Sequence, residues 1–215
     1  NCGKRWRDNF GGGPQNGFTV DNNHISIEKI MEIYPATASS VVLFETGFET
    51  GDLSEFVVVN GAQANTWVVS TTDPDTGTYS AHISNDGSSL SYTITTTAVS
   101  HIYVDVAIPS TGTSSLSFRW KCTGENAAGD DQYDYGRVFI APTTITPVAG
   151  AQVAITYQVG LIKYNLQSTY ITETIDLGTT YAGTTQRFIF SWNNDGSVGV
   201  DPPFEIDNIS ITNSV

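Results

Sequence analysis

Two acidic motifs near opposite ends of the chain carry the residue types that hold a hard cation. The first places Glu45, Glu49 and Asp52 within one short segment, and the second places Asp207 beside Asn208 in an isoleucine-rich run. Ca²⁺ takes about six to eight oxygen ligands from carboxylates, amide carbonyls and water. Both motifs lie on strand-like runs, and the first and last strands of an antiparallel sandwich are commonly neighbours. Glu49 and Asp207 could therefore converge on one ion.

A second group of oxygen-bearing side chains lies in a loop-like stretch at residues 124–135. It combines acids with tyrosines: Glu125, Asp130, Asp131, Tyr133, Asp134 and Tyr135. The carboxylates could hold a second cation. Alternatively, Tyr133 and Tyr135 could offer ring faces to a sugar while Asp131 and Asp134 accept hydrogen bonds from its hydroxyls. A solvated loop without a ligand is the third interpretation that these residues leave open.

Short runs rich in β-forming residues, separated by Gly, Pro, Asn and Asp, fill the chain from Val41 onward. Two stripes of alternating large apolar residues, at 116–120 and 188–192, indicate strands with one face in a core. The regular spacing, without helical periods, predicts an all-β fold, namely a two-sheet antiparallel β-sandwich of the jelly-roll type. The predicted strands are 41–45, 55–59, 66–70, 80–84, 89–96, 101–107, 115–121, 136–141, 152–159, 170–176, 187–192 and 205–212.

The same motifs, taken in order, resemble those of the secreted jelly-roll modules of bacterial surface proteins. The matching stretches are Phe44–Phe56, Asn65–Trp67, Thr78–Ser84 and Asp207–Ile211. The resemblance covers roughly residues 41–213. It extends to the cleaved-adhesin modules of gingipain-type proteins, the choice-of-anchor J domains and calcium-dependent carbohydrate-binding modules, which share a fold more than an activity.

The resemblance implies that the acid of the Phe-Glu motif and the aspartate of the Asp-Asn-Ile motif ligate a structural Ca²⁺. Those residues are Glu49 and Asp207 here, with Asp52 and Glu45 as secondary candidates. It also implies non-catalytic adhesion or carbohydrate recognition outside the cell or on its surface, with a glycan or a cell-surface protein as partner. The alternative interpretation is that Glu49 only anchors a turn and Asp207 is a solvated strand residue.

Charge is unevenly distributed along the chain. The first forty residues are neutral, and the remainder carries five Lys or Arg against eighteen Asp or Glu, which accounts for the formal net charge of −13. An acidic body without a basic groove repels phosphate backbones, so nucleic acid is excluded as the expected partner. No apolar run has the length needed to span a bilayer, so membrane insertion is not expected either.

Residues 1–40 lie outside the resemblance and are predicted to be an extension, linker or interaction arm in front of the sandwich at 41–215. If Ile27, Ile30 and Met31 packed against a second copy, the chain would form a homo-oligomer. The alternative function is therefore a structural subunit of a surface filament or virion appendage. Cys2 and Cys122 either form a disulfide between the extension and the sandwich or remain two free thiols, and their spacing does not decide between these.

Catalysis is not expected. The histidines have no neighbouring nucleophile motif and no metalloprotease spacing. His82 and His101 fall within predicted strands and are expected to be sheet residues with satisfied hydrogen bonds. Glu205 and Asp207 superficially resemble the carboxylate strand of jelly-roll glycoside hydrolases, but the further acid that such a motif needs is replaced by Ser210.

Overall fold

Two antiparallel β-sheets pack face to face and bury the large apolar side chains between them. The computed structural model describes residues 39–125 and 133–215, which belong to one unit. Eleven strands and one short 3₁₀ turn lie within these ranges. The predicted all-β, two-sheet antiparallel sandwich is thereby confirmed.

The strands are β1 Ser40–Thr46, β2 Val57–Val59, β3 Thr66–Ser70, β4 Ser80–Ser84, β5 Ala98–Ala107, β6 Thr113–Cys122, β7 Tyr135–Pro142, β8 Gln158–Tyr164, β9 Gln167–Gly178, β10 Thr185–Asn194 and β11 Glu205–Ser214. Sheet A has the order β3-β4-β11-β6-β9, and β1 pairs with β11 as well. Sheet B has the order β2-β5-β10-β7-β8.

Alternation along the strands decides which side chains enter the core. Leu116, Phe118 and Trp120 on β6 are at most 2% exposed, and Phe188, Phe190 and Trp192 on β10 are fully buried, as the two apolar stripes predict. Aromatic contacts join the two sheets. The ring centroids of Phe118 and Phe190 are 5.3 Å apart in an edge-to-face arrangement, which is a favourable geometry for two π-systems.

The first and last strands are hydrogen-bonded neighbours, as the sequence predicts. β1 runs antiparallel to β11, from Ser40 opposite Ser214 to Thr46 opposite Ile209. The pairing of β11 with β6 is interrupted between Asp207 and Ser210, where Asn208 has a φ of 48°. Before this bulge β11 pairs with β4, and after it β11 pairs with β1. Bulges of this kind redirect the side chains next to them.

The predicted strand at 89–96 is wrong, because side chains rather than a neighbouring strand satisfy its backbone. Asn65 accepts the N–H of Thr93 at 2.6 Å and donates to its carbonyl at 3.1 Å. The N–H of Tyr92 donates to Asp201 Oδ1 at 3.3 Å. A segment whose polar backbone groups are occupied in this way does not join a sheet ladder.

The predicted strand at 152–159 is wrong as well. Ile155–Tyr157 form the 3₁₀ turn and β8 begins only at Gln158. The segment before β8 covers part of the outer face of sheet B, where Val153 packs with Phe139 and Ile189 in a second apolar cluster. His101 lies under this segment, bonded to Ser191 Oγ at 2.6 Å and to the Ala151 carbonyl at 3.1 Å. The prediction for His101 is thus confirmed.

Residues 1–38 and 126–132 lie outside the described residues. The interaction arm, Cys2 and Asp131 fall there, so homo-oligomerisation through the arm and the disulfide to Cys122 stay predictions. Cys122 itself is fully buried at the end of β6. Within 39–125 and 133–215, no helix has the length and apolar character that crossing a bilayer requires.

Candidate functional site

The β3–β4 loop, residues 71–79, lies over the outer face of sheet A and is held there by distant side chains. Asp207 on β11 accepts the N–H groups of Asp75 and Thr76 on Oδ2, at 3.1 and 3.2 Å, and that of Asn208 on Oδ1 at 2.7 Å. Asp207 is fully buried, and this burial raises its pKa although the amide donors favour the charged form. A buried carboxylate thus takes the place of a partner strand for this part of the loop.

Glu49 holds the other end of the same loop. Both of its carboxylate oxygens lie 3.0 Å from the N–H of Thr78, and Oε1 also accepts the N–H of Tyr79 at 3.1 Å. These backbone hydrogen bonds lower the pKa of Glu49. Gly77 permits the approach, because its φ is 70° and a Cβ at this position would collide with the Glu49 carboxylate.

The acids predicted to share a cation therefore meet at one loop, but Glu49 and Asp207 face amide N–H groups there. Asp52 accepts the N–H of Ser54 at 3.0 Å within its own turn. The exposed Glu45 lines a surface hollow of about 360 Å³ beside the β1–β11 pair. A carboxylate offers about four lone-pair sites. Three N–H groups bond to Asp207, and two bond to Glu49, one of them shared between both oxygens. Calcium ligation by these four residues stays a prediction.

Two ion pairs also fasten the loop to β6. Arg119 donates to Asp75 with Nε at 2.7 Å and Nη2 at 2.8 Å, a bidentate arrangement that lowers the pKa of Asp75. The Lys121 ammonium contacts the Asp73 carboxylate and lies 3.0 Å from Glu205 Oε2. The outer face of sheet A under this loop is therefore polar, in contrast to the apolar cluster that covers sheet B.

His82 and Glu205 occupy opposed positions on β4 and β11, beside these ion pairs. Both are fully buried, and the two ring nitrogens of His82 make no hydrogen bond of good geometry with any described residue. Burial lowers the pKa of His82 to about 4, so its ring is neutral at pH 7. His82 lies on β4, as the sequence predicts, and the backbone of Ser88 and Ser89 lies near its ring and raises its pKa against the effect of burial.

A different group of acids has the geometry of a candidate metal centre. Carboxylate oxygens of Glu125, Asp134 and Asp195 lie within 4.8 Å of one another, and two of these residues, Glu125 and Asp134, are buried. Asp134 accepts the Tyr92 hydroxyl at 2.7 Å and the N–H of Asp195 at 3.0 Å. Burial raises the pKa of Asp134 to about 6, so a nearby cation would stabilise its charged form at neutral pH. We call these three residues the acidic cluster.

Sequence patterns indicate only two members of the acidic cluster. Glu125 and Asp134 belong to the acidic loop, whereas Asp195 follows the end of β10. Strand pairing brings them together, because Asn193 on β10 lies opposite Tyr135 on β7. The sequence shows that Asp195 lies in a turn directly after a core strand. This position indicates a site residue only once β7 is known to be the neighbour of β10.

Aromatic and basic side chains form a second candidate site beside the acidic cluster. The Lys163 ammonium lies 5.5 Å from the ring centroid of Tyr133 and 5.2 Å from that of Tyr135, and the Arg137 guanidinium lies 4.6 Å from the Tyr135 ring. We call these four residues the tyrosine surface. These are cation–π distances.

The predicted ligand-binding residues differ in accessibility. Tyr133 is 43% exposed, whereas Tyr135 is 7% exposed and Asp134 is fully buried. Asp131 lies outside the described residues. Tyr133 is therefore the most exposed of the described residues in this set. Its backbone is fixed on both sides, because its N–H donates to Glu125 at 2.5 Å and its carbonyl accepts from Asn193 at 2.6 Å.

Comparison with known proteins finds similarity in architecture. Neither protein-family profiles nor curated protein sequences match this chain. Among solved structures, the CBM22-1 xylan-binding domain of Paenibacillus barcinonensis Xyn10C is 14% identical with a TM-score of 0.48, and the alignment covers 84% of this chain and 98% of that one. The K3 cleaved adhesin domain of Lys-gingipain from Porphyromonas gingivalis W83 is 14% identical with a TM-score of 0.49, covering 81% and 99%.

A Stig cyclase, Fisc from Fischerella sp. TAU, is similar to the same degree, at 14% identity and a TM-score of 0.49 over 82% of this chain and 98% of that one. The matches thus include the kinds of module that the sequence resembles, together with an enzyme. At these identities and TM-scores they carry no argument about ligand or activity, which must come from the residues of this chain.

Replacing His82 with Gln should flatten the acid dependence of stability. The pKa of His82 is lowered in the folded state, so between pH 6.5 and about 4 the unfolded chain binds a proton that the folded chain does not. Stability is therefore lost as pH falls through this window, by about 3 kcal/mol from this residue. Urea unfolding from pH 7 to pH 4 measures the change, and an equally acid-sensitive His82→Gln variant would contradict the assignment.

Proposed function

We propose that this protein is a non-catalytic recognition module that binds a saccharide at the tyrosine surface, in an extracellular setting. The observation that carries the proposal is Tyr133, a residue that is 43% exposed and whose backbone is held at both its N–H and its carbonyl. An aromatic ring in a fixed position loses little conformational entropy on binding and can stack on the apolar face of a sugar.

Polar groups suited to sugar hydroxyls surround this ring. Lys163 lies over the rings of Tyr133 and Tyr135. Arg137 donates its Nε–H to the Ile162 carbonyl at 3.0 Å, and its guanidinium carries two further amino groups that can donate hydrogen bonds. Binding sites combine apolar contact with a few placed donors and acceptors, and this corner of sheet B offers both.

The non-catalytic part of the proposal is supported by the state of the carboxylates on β11. Glu205 and Asp207 are both fully buried. Asp207 accepts three backbone N–H groups, and Glu205 lies against Lys121 and the Ser80 hydroxyl. Glycoside hydrolysis needs two carboxyl groups that flank a bound sugar, and these two are covered by protein instead.

Replacing Tyr133 with Ala should weaken saccharide binding by about tenfold, because it removes the stacking surface. The measurement is binding to an array of neutral and acidic oligosaccharides, followed by calorimetric titration with the best binder. Tyr133→Phe is the matched control and should keep most of the affinity, since it retains the ring. Absence of any saccharide that binds, or equal affinity of Tyr133→Ala and the unmodified protein, would contradict the proposal.

Structural Ca²⁺ is the second element of the proposal, and we infer that the acidic cluster holds it. Two buried carboxylates with an exposed third supply the oxygen ligands and negative charge that this ion prefers. The ion would offset the cost of keeping Asp134 charged and would fix the backbone of Tyr133 through Glu125. The alternative position, at Glu49 and Asp207, follows from the sequence resemblance.

Calcium at about one hundred times its dissociation constant should raise the thermal midpoint of the protein by about 5 °C relative to chelator, because only the folded state assembles the site. Asp134→Asn should abolish the increase, and Glu49→Gln should leave it intact. A thermal midpoint that is the same with calcium and with chelator would contradict the proposal that the protein binds calcium. Loss of the increase in Glu49→Gln but not in Asp134→Asn would assign the ion to the pair predicted from the sequence.

A further inference from the structure

Lys121 is a buried lysine whose ammonium lies between two carboxylates. It is on the outer face of β6, and its side chain is only 4% exposed. Its Nζ contacts the Asp73 carboxylate, which belongs to the β3–β4 loop, and lies 3.0 Å from Glu205 Oε2 on β11. Burial of an ammonium is costly unless its partners are close and well placed.

Neighbouring side chains position Lys121, Asp73 and Glu205. The Tyr170 ring lies over the Lys121 ammonium, 4.6 Å from Nζ to the ring centroid, and its hydroxyl donates to the Asp73 carbonyl at 3.3 Å. The Ser80 hydroxyl donates to Glu205 Oε1 at 2.7 Å. Each group is therefore fixed by a contact of its own.

The hydrogen bonding of Glu205 Oε2 differs from that of an ordinary ion pair. This oxygen is buried and, among the described residues, accepts no hydrogen bond of good geometry, although Lys121 Nζ is within ion-pair distance. The nearby Lys121 ammonium compensates the charge of this buried oxygen. Such an oxygen beside a buried amine is suited to receiving and returning protons.

We propose that the side chains of Lys121 and Asp73 condense to an amide cross-link, with Glu205 transferring the protons. The amine nitrogen attacks Cγ of Asp73, one C–N bond forms, and one C–O bond breaks. Of the three protons on the ammonium, one remains on the amide nitrogen and two leave with the departing oxygen as one water molecule. Glu205 takes protons from nitrogen and returns them to that oxygen, so it ends unchanged, and no oxidant or co-reactant is needed.

Local geometry and burial favour this step. Reacting groups held in contact reach effective concentrations of about 10⁵ to 10⁸ M, which favours condensation over hydrolysis relative to free reactants in water. Burial raises the pKa of Glu205, which favours its neutral, proton-carrying form. The Asp73 side chain is 61% exposed, so the released water has a path to solvent. The bond would tie the β3–β4 loop covalently to β6.

Intact mass spectrometry of the reduced, denatured full chain tests the proposal. The expected mass is that of the sequence less one water molecule. Trypsin cleaves after Arg119, so digestion of the cross-linked chain should yield a branched peptide that joins the segment containing Asp73 to the segment containing Lys121. Its mass equals that of the uncut linear peptide 30–137, so N-terminal sequencing is needed and should read Ile30 and Trp120 together in the first cycle. This result distinguishes the cross-link from a missed cleavage and from dehydration of an aspartate elsewhere in the chain.

Substitutions at Lys121 and Glu205 test the role of each residue in the condensation. Lys121→Arg keeps the positive charge but should restore the full sequence mass, and Glu205→Gln should do the same because it cannot carry the protons. Lys29→Arg, a lysine that belongs to neither candidate site, is the matched control and should retain the mass deficit. A full sequence mass in the unmodified folded protein, or a deficit that persists in Lys121→Arg, would overturn the proposal. The branched peptide from the unmodified protein tests for the cross-link even if a variant fails to fold.

Discussion

The structure depends on carboxylates that accept backbone N–H groups from a loop lying over a sheet. Residues 71–79 have no strand partner, so their amides bond either to water or to side-chain acceptors. Asp207 supplies acceptors for Asp75 and Thr76, and Glu49 supplies them for Thr78 and Tyr79. The bulge after Asp207 and the absence of a side chain at Gly77 make these contacts possible. Two distant parts of the sequence thereby hold one loop.

The outer faces of the two sheets differ in chemical character, and the attached loop covers the polar one. Under the loop, sheet A buries ionisable side chains, among them Lys121 and Glu205. Sheet B is covered instead by an apolar segment in which Val153 contacts Phe139 and Ile189. At one corner of sheet B, Tyr133 is 43% exposed beside Lys163, and the saccharide site proposed above lies at this corner.

The sequence predicted the sandwich well, because period-two alternation at 116–120 and 188–192 reports burial directly. It predicted that the regions of Glu49 and Asp207 meet, but the type of residue does not reveal whether a carboxylate will face a cation or an amide. It failed at 89–96, where the distant side chain of Asn65 hydrogen-bonds the backbone of Thr93. It did not reveal the complete burial of His82, which depends on strands far away in sequence. Asp195 was missed because its proximity to Asp134 arises only from the pairing of β10 with β7.

The most direct test of the central claim is amide hydrogen exchange, resolved by residue, in the presence of chelator. The N–H groups of Asp75, Thr76, Thr78 and Tyr79 should be protected in the unmodified protein. Asp207→Asn should increase exchange at the first two, and Glu49→Gln should increase it at the last two. Rapid exchange of all four amides without calcium would contradict the account, because a cation rather than the carboxylates would then be holding the loop.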